Sequence, residues 1–500
     1  MSCIAATGAH SSNPRIALRS IERFGIAVDD VAVKCAHVFR ISGDIDQLLQ
    51  FLPTAVMRAF NRHPRLRALV VKDAEFTAEI QPQISLDDVA AKRLLRVREL
   101  FDSDEDVAAW TNWGAFVQEE THVPFDRFSQ FMFYLTVWVN KADSSARFFL
   151  FSDHIVSDGD SGMVVVNDIL EDVALLSIEA DKPVKELPLR PSLYEMWFAK
   201  PLWLKPVAKT IVALFGRAGF LEATKSFKPV LPPRGDQQDF TVPLVRNSTS
   251  GLFAEGDPSN MRSALGRCKD ERVTFGGALI PIVLLAFYNA RKATSSSKGD
   301  EEPFKLAADM CFNMRQRVPE PAQERQVGLY VAVTTLQWLM KEGVDMRSTK
   351  FWDLARQAKQ QVCSQSQNLL EMALPLFMMD RKLNPKELGS FLKDHRVANS
   401  VTGDATISNI GRYIYKHKHI LAANGELQVE SLHTFAAVPF VATTSTLWVA
   451  SLKAFNYSIA HKTEESIGKE LFEAYVTLCE NLSCVGSDDT MLDVLKRLKL

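Results

Sequence analysis

Apolar and polar positions change period several times along the chain, and each change marks an element. In CAHVFRI, residues 35–41, β-branched and aromatic residues concentrate and stop at Ser42-Gly43, which predicts a strand and a turn. Leu48, Leu49, Leu52, Val56, Met57 and Phe60 then recur at helical spacing up to His63-Pro64, with Pro53 as an early-turn or kink position. LRALVV, 66–71, returns to a strand. MFYLTVWV (132–139) and RFFLF (147–151), with polar residues 140–145 between them, predict a hairpin or two neighbouring strands. After Gly162, the residues Val166, Ile169, Leu170 and Val173 share one helical face. Residues 153–159 therefore join a strand to a helix.

The second half repeats these themes. It predicts a core helix over 278–290, strands near 304–311 and 329–336, a helix beginning near Trp352, paired strands in 446–460 and a closing helix over 463–482. The most membrane-like run, VTFGGALIPIVLLAFYNAR (273–291), is weakened as a span by Gly276, Gly277, Pro281 and Asn289, and reads as a buried core helix. Between about 183 and 243 the prolines of LPLRP, KPLWLKP and KPVLPP interrupt any long period. The expected division is a first lobe over 15–190, a Pro-rich crossover linker over 191–243 and a second lobe over 244–490. Inside the linker, 202–220 carries apolar residues interspersed with Lys205, Lys209 and Arg217, as an amphipathic helix would. Such a helix packs on a lobe or lies on a membrane surface.

Composition narrows the function classes. With 47% hydrophobic and 24% charged residues over 500 positions, the chain can bury a large core. A net charge of -2 supplies no global field for a polyanion, so nucleic acid is not expected as the principal partner. The start, MSCIAATGAHSSNPRIA, lacks a signal-peptide core and its basic flank. Seven cysteines, scattered and never in a CxxC pair, indicate neither a disulfide framework nor a thiolate zinc site. A cytoplasmic monomer is expected. The terminal Leu498-Lys499-Leu500 differs from a peroxisomal SKL signal at its first position.

Candidate chemistry gathers in SDHIVSDGD, 152–160, where a histidine, an aspartate four residues on and a following glycine occupy the strand-to-helix connection. A neutral imidazole can accept a proton from an attacking hydroxyl or amine near pH 7. The spacing alone is common by chance, and no second histidine lies within a turn to complete a metal site, so no metal is expected. HIVSDG, 154–159, resembles the HxxxDG motif of the chloramphenicol acetyltransferase-like superfamily, which includes nonribosomal peptide condensation domains, alcohol acetyltransferases and phthiocerol dimycocerosyl transferases. SGDIDQLLQFLPTAVMRAFNRHPRLRALV (42–70) is similar to that superfamily's strand, long helix and RHPxLR segment, and VPFDRFSQFMFYLTVWV (123–139) to its PFD segment and following strand. Asn313-Met314-Arg315 and Ser408-Asn409-Ile410-Gly411 resemble its structural-arginine stretch and its SNxG segment, in the expected order. The resemblance spans about 16–482.

It implies an α/β fold of two similar lobes, each a mixed sheet with flanking helices, meeting at an active-site tunnel. His154 would act as general base. Asp158 would pair with Arg315 to hold the loop that aims His154, and Gly159 would permit a turn that a Cβ would obstruct. Ser408 and Asn409 would meet the oxyanion or the donor's pantetheine arm, or else simply close a strand end. The co-substrate would be acyl-coenzyme A or a phosphopantetheine thioester on an acyl carrier protein, the acceptor an alcohol or amine, with no tightly bound cofactor. The sequence departs from condensation domains, which carry two adjacent histidines, by having Asp153 at the first position. That carboxylate would raise the pKa of His154 or point into solvent.

Overall fold

The computed structural model describes residues 13–23, 33–72, 76–101, 103–179, 182–225, 228–234, 249–294, 303–318, 325–382, 401–438 and 442–500. Its first half contributes strands β1 (Arg15–Ala17), β2 (Lys34–Gly43), β3 (Ala68–Val71), β4 (Thr77–Ile80), β5 (Leu95–Leu100), β6 (Phe133–Asn140) and β7 (Ser145–Asp153). The second half contributes β8 (Ser250–Glu255), β9 (Ala308–Asn313), β10 (Val331–Thr335), β11 (Val401–Arg412), β12 (Lys418–Ile420), β13 (Glu426–Ala436), β14 (Ala442–Ser451) and β15 (Phe455–His461). They form two six-stranded sheets, β12-β13-β2-β7-β6-β5 and β10-β9-β11-β14-β15-β8, beside a small sheet β1-β4-β3. Both large sheets are mixed, because β5 runs parallel to β6 and β11 runs parallel to β9 and β14. The protein is therefore α/β, with two lobes of mixed sheet and flanking helices, as its sequence implies.

β7 is buried along its whole length because both sheet faces are covered. Successive residues of a strand point to opposite faces. On one face Phe149 and Phe151 meet Phe116 of the helix Trp113–Thr121, with ring centroids 5.1 and 5.8 Å apart. On the other, His37 of β2 lies against Gly162 of the helix Gly159–Ile178. The helix Ile45–Arg62, capped by Asp44, buries Leu48, Leu52, Ala55, Val56 and Ala59 and packs on Gly159–Ile178. Polar ties fix that contact: His63 meets Asp168 at 2.9 Å, and Arg62 pairs with both Asp168 and Asp172. The RHPxLR segment is thus a buried clamp on the helix that follows the motif.

The apolar run 273–291 forms most of the helix Phe275–Thr294, whose residues 278–287 are all buried inside the second lobe. Among the described residues no single helix is long and apolar enough to cross a membrane. The closing helix is Glu465–Glu480, and a further helix, Met491–Leu498, follows it. The Pro-rich stretch holds two helices, Leu193–Ala199 and Leu204–Lys225. Their residues Trp197, Phe198, Leu204 and Ala208 form a third apolar cluster with Tyr330, Met372 and Phe377. Residues 226–227 and 235–243 of the expected linker lie outside the described residues. β12 and β13 come from the second half of the chain yet complete the first sheet, β13 pairing with β2 from Leu427↔Gly43 to Ala436↔Cys35.

Candidate active site

His154 follows the last residue of β7 and precedes the helix Gly159–Ile178. Its backbone N–H donates to the Val33 carbonyl at 2.8 Å, which continues the β2–β7 ladder by one step. The ring is partly exposed, and its Nδ1 lies 2.7 Å from the Ser157 carbonyl oxygen. A carbonyl can only accept, so Nδ1 carries a proton, and in the neutral ring Nε2 is the nitrogen that holds the lone pair. Burial alone would lower the imidazole's pKa, but the Cys35 sulfur, the Ser157 carbonyl and the Asp158 carboxylate outweigh it and push it up.

Asp158 is the N-cap of the following helix and accepts from the Ser161 N–H at 2.9 Å. The same carboxylate receives Arg315 Nη1 and Nη2 at 2.8 and 2.9 Å and the Tyr330 N–H at 2.9 Å. Arg315 also donates to the Gln326 and Gly328 carbonyls and its Nε lies 3.2 Å from Asp160. Both partners are almost fully buried, at 3% and 5% exposure. Burial would raise the Asp158 pKa, but the guanidinium overrides it and holds the carboxyl below its ordinary value. Asp160 goes the other way, because burial outweighs what Arg315 contributes to it.

Gly159 has no left-handed backbone. A Cβ there would come within 2.7 Å of the Ile410 Cδ1, so the glycine serves a close approach between the lobes rather than a turn. That contact brings the end of β11 against the start of the helix. Ser408 and Asn409 precede Ile410 on β11 and are half-buried. A register shift between Asn409 and Gly411 bends the strand there, and Asn409 Oδ1 accepts the Gly411 N–H at 3.0 Å. The amide nitrogen is left as the donor side.

Asp153 takes neither course expected of it. Its carboxylate is 1% exposed and bonded to Arg127 Nε at 2.7 Å and to the Ile155 N–H at 3.1 Å, which ties the VPFDR segment to the His154 loop. Two neighbours escaped sequence reasoning, Cys35 and His37. Cys35 pairs with Ser152 in the ladder, so it faces the same side as Ser152, His37 and His154, and its sulfur is among the groups that push the His154 pKa up. His37 is fully buried, its Nε2 3.1 Å from the Gly159 carbonyl, and burial pushes its pKa down to about 4. The available signal was the two-residue spacing of Cys35 and His37 in the first strand. Two large cavities, of 840 Å³ over Lys34, Arg96, Phe125 and Tyr134 and of 460 Å³ between Trp113, Phe253 and His433, do not include His154 in their walls. Among the described residues no group of three His, Cys, Asp or Glu could hold a metal ion.

Two six-stranded mixed sheets, a helix capped by the motif aspartate and an arginine from the opposite lobe define the class of the chloramphenicol acetyltransferase-like acyltransferases. A family model described as alcohol acetyltransferase matches residues 72–422, and the chain belongs to that family. The protein is an acyltransferase. No curated protein sequence matches. Among solved structures it is similar to the TRI3 trichothecene 15-O-acetyltransferase from Fusarium sporotrichioides, with 14% identity over 95% of this chain and 96% of that one and a TM-score of 0.67. It is also similar to the first condensation domain of the CDA synthetase, with 12% identity over 96% and 98% of the two chains and a TM-score of 0.63. A third neighbour is the EpoB NRPS cyclization-docking bidomain from Sorangium cellulosum, with 13% identity over 95% and 87% of the two chains and a TM-score of 0.61. At these identities the likeness is one of fold.

Proposed function

We propose that the enzyme transfers an acyl group from acyl-coenzyme A to an alcohol, with His154 as general base. The observation that carries this reading is the Nδ1 contact to the Ser157 carbonyl, which leaves Nε2 as the basic nitrogen. The acceptor's O–H gives its proton to Nε2 as its oxygen attacks the thioester carbonyl. The resulting oxyanion is met by the Ser408 hydroxyl or the Asn409 amide, and its collapse breaks the C–S bond. The departing thiolate takes the proton back from the imidazolium. Asp158 and Arg315 touch no reacting atom in this scheme and act by holding the loop. No tightly bound cofactor takes part.

The family model's description favours an alcohol acceptor over an amine. The 15-O-acetyltransferase named for the TRI3 neighbour favours the same chemistry, whereas the condensation-domain neighbours favour a carrier-bound donor. We read the protein as a monomer of a reducing, cytoplasmic compartment, in keeping with the unpaired state of its described cysteines. Thiol release from acetyl-coenzyme A in the presence of small alcohols tests the reading. His154→Ala should lose at least about a hundredfold in rate. Equal rates for the variant and the wild type would overturn it, and turnover only with a carrier-bound thioester would replace the donor.

A further inference from the structure

The geometry points to a second binding site, on the face of the first sheet away from His154, for a carboxylate carried on a flat apolar body. Strand alternation separates it from the reacting centre. Cys35 and Ser152 share the His154 face, so Lys34, Phe151 and the Tyr134 that pairs with Phe151 turn to the other. There a cavity of 840 Å³ has the Lys34 side chain in its wall, within the range of about 300–1,000 Å³ usual for small-molecule sites.

Charge in that wall does not cancel. The Lys34 side chain is 3% exposed; its Nζ donates to Tyr134 Oη at 2.9 Å and stands 3.6 Å from Glu120 Oε1, beyond ordinary hydrogen-bond length. The Tyr134 O–H donates to that same oxygen, and Arg96 Nη1 is 3.6 Å from it. One carboxylate thus answers two cations, and the buried Arg96 Nε has no hydrogen-bond partner. Burial pushes the Lys34 pKa down to about 8 even with Glu120 beside it, as for an ammonium short of opposite charge. Of the other charged lining residues, Lys92 pairs with Asp88 at 3.2 Å and Arg93 is exposed, so positive charge is in excess throughout. Aromatic rings supply the rest of the wall. Lys34 Nζ lies 4.6 Å from the Phe125 ring centre, and the Arg96 guanidinium 4.0 Å from that of Tyr134. A ring face holds a cation by its quadrupole but brings no anion, so the excess remains. A monoanion between Lys34 and Arg96 would cancel it, and a flat apolar body would lie against the rings. Inorganic phosphate would meet the charge and leave the rings uncovered.

The probe is 2-naphthoate, titrated into the full chain at pH 7 by calorimetry, with 2-naphthamide as its neutral isostere and inorganic phosphate as an anion without the body. Naphthoate should bind saturably at one site, and the other two at least about tenfold more weakly, since hydrogen bonds to charged groups are worth that much. Lys34→Met, which keeps the apolar stem, and Arg96→Gln should each weaken naphthoate at least about fivefold, while His154→Ala should bind it as the wild type does. No saturable binding, or naphthamide or phosphate matching naphthoate, would overturn the inference. An unchanged affinity in Arg96→Gln would overturn it too; that residue is half-buried, so the comparison stands even where Lys34→Met fails to fold. Affinity lost in His154→Ala would move the ligand to the reacting centre and overturn the second site. None of these measurements reads acyl transfer, so this site and the acyl-transfer reading fail separately.

Discussion

Asp158 and Arg315, 157 residues apart in sequence, close a two-pronged ion pair between the helix that follows the first sheet and the segment that follows β9 of the second. The pair sits at the root of the His154 loop, and both members are buried, so removing either one strands a charge. Asp158→Ala and Arg315→Ala should each destabilise the protein by about 3–5 kcal/mol, read by chemical denaturation. The double variant should lose less than the sum of the two, because the second change removes the stranded charge. His154→Ala, by contrast, should melt close to the wild type. Strict additivity would remove the pair from the account of how the loop is held.

The same pair carries a pH dependence. Arg315 holds the Asp158 carboxyl below its unfolded value, so its contribution to stability is fully present above the ordinary carboxylate range, about pH 4, and is lost as pH falls through the folded pKa. Asp158→Asn should therefore cost stability at pH 7 and flatten the acid side of the stability curve. A curve that keeps its full acid slope in that variant would assign the slope to other carboxylates.

Much of this arrangement was legible in the sequence, for reasons that differ by element. The β6–β7 hairpin and the helix after it follow from runs of Phe, Val and Leu whose period changes at Asn140 and at Asp153, both local signals. The return of β13 to pair with β2 is not local. Nothing in ELQVESLHTFA says which of two sheets it completes, because either would bury its alternate residues. The pairing of Asp158 with Arg315 was implied by the resemblance and is present in the structure. The burial of Asp153 was not legible, since its partner Arg127 lies 26 residues away in a segment with no period of its own. Cys35 and His37 went unnoticed as site neighbours because their chemistry depends on which face of β2 turns toward His154, and that is set by register.

Activity should rise with pH as the His154 imidazole loses its proton, since only the neutral ring is a base. The titratable groups that act on it are Cys35 and His37 from β2 and Asp158 at the start of the following helix, with Arg315 behind that carboxylate. His37 is neutral near pH 7, and Cys35 is the foremost of the groups that raise the His154 pKa. Cys35→Ala should therefore move the acid limb of the kcat/KM profile to lower pH. A limb that stays in place or moves upward would show that the sulfur does not act on the ring.

Two glycines of one helix make a graded test of packing around the site. A Cβ at Gly162 would lie 2.2 Å from the His37 ring at its Cγ, an atom that cannot yield without moving a buried strand residue, whereas a Cβ at Gly159 would meet only the Cδ1 tip of Ile410 at 2.7 Å. Overpacking of this kind costs about 1–3 kcal/mol. Gly162→Ala should fall at the upper end, and Gly159→Ala lower. Ile410→Val, which deletes the offending methyl, should restore Gly159→Ala in stability and activity. It should do nothing for Gly162→Ala. Rescue of both or of neither would separate Ile410 from the role given to it here.

Asp153→His would recreate the adjacent histidines of condensation domains, and on motif logic alone it should be benign. The structure argues otherwise. Asp153 is a buried partner of Arg127 and also caps the Ile155 N–H, so an imidazole there takes one carboxylate from the guanidinium and the acceptor from a turn. The variant should be destabilised by about 3–5 kcal/mol and lose activity through a loosened His154 loop rather than gain a second base. If Asp153→His instead melts with the wild type and matches its rate, then the Arg127 pair is dispensable, and the loop is held by the Asp158 side alone.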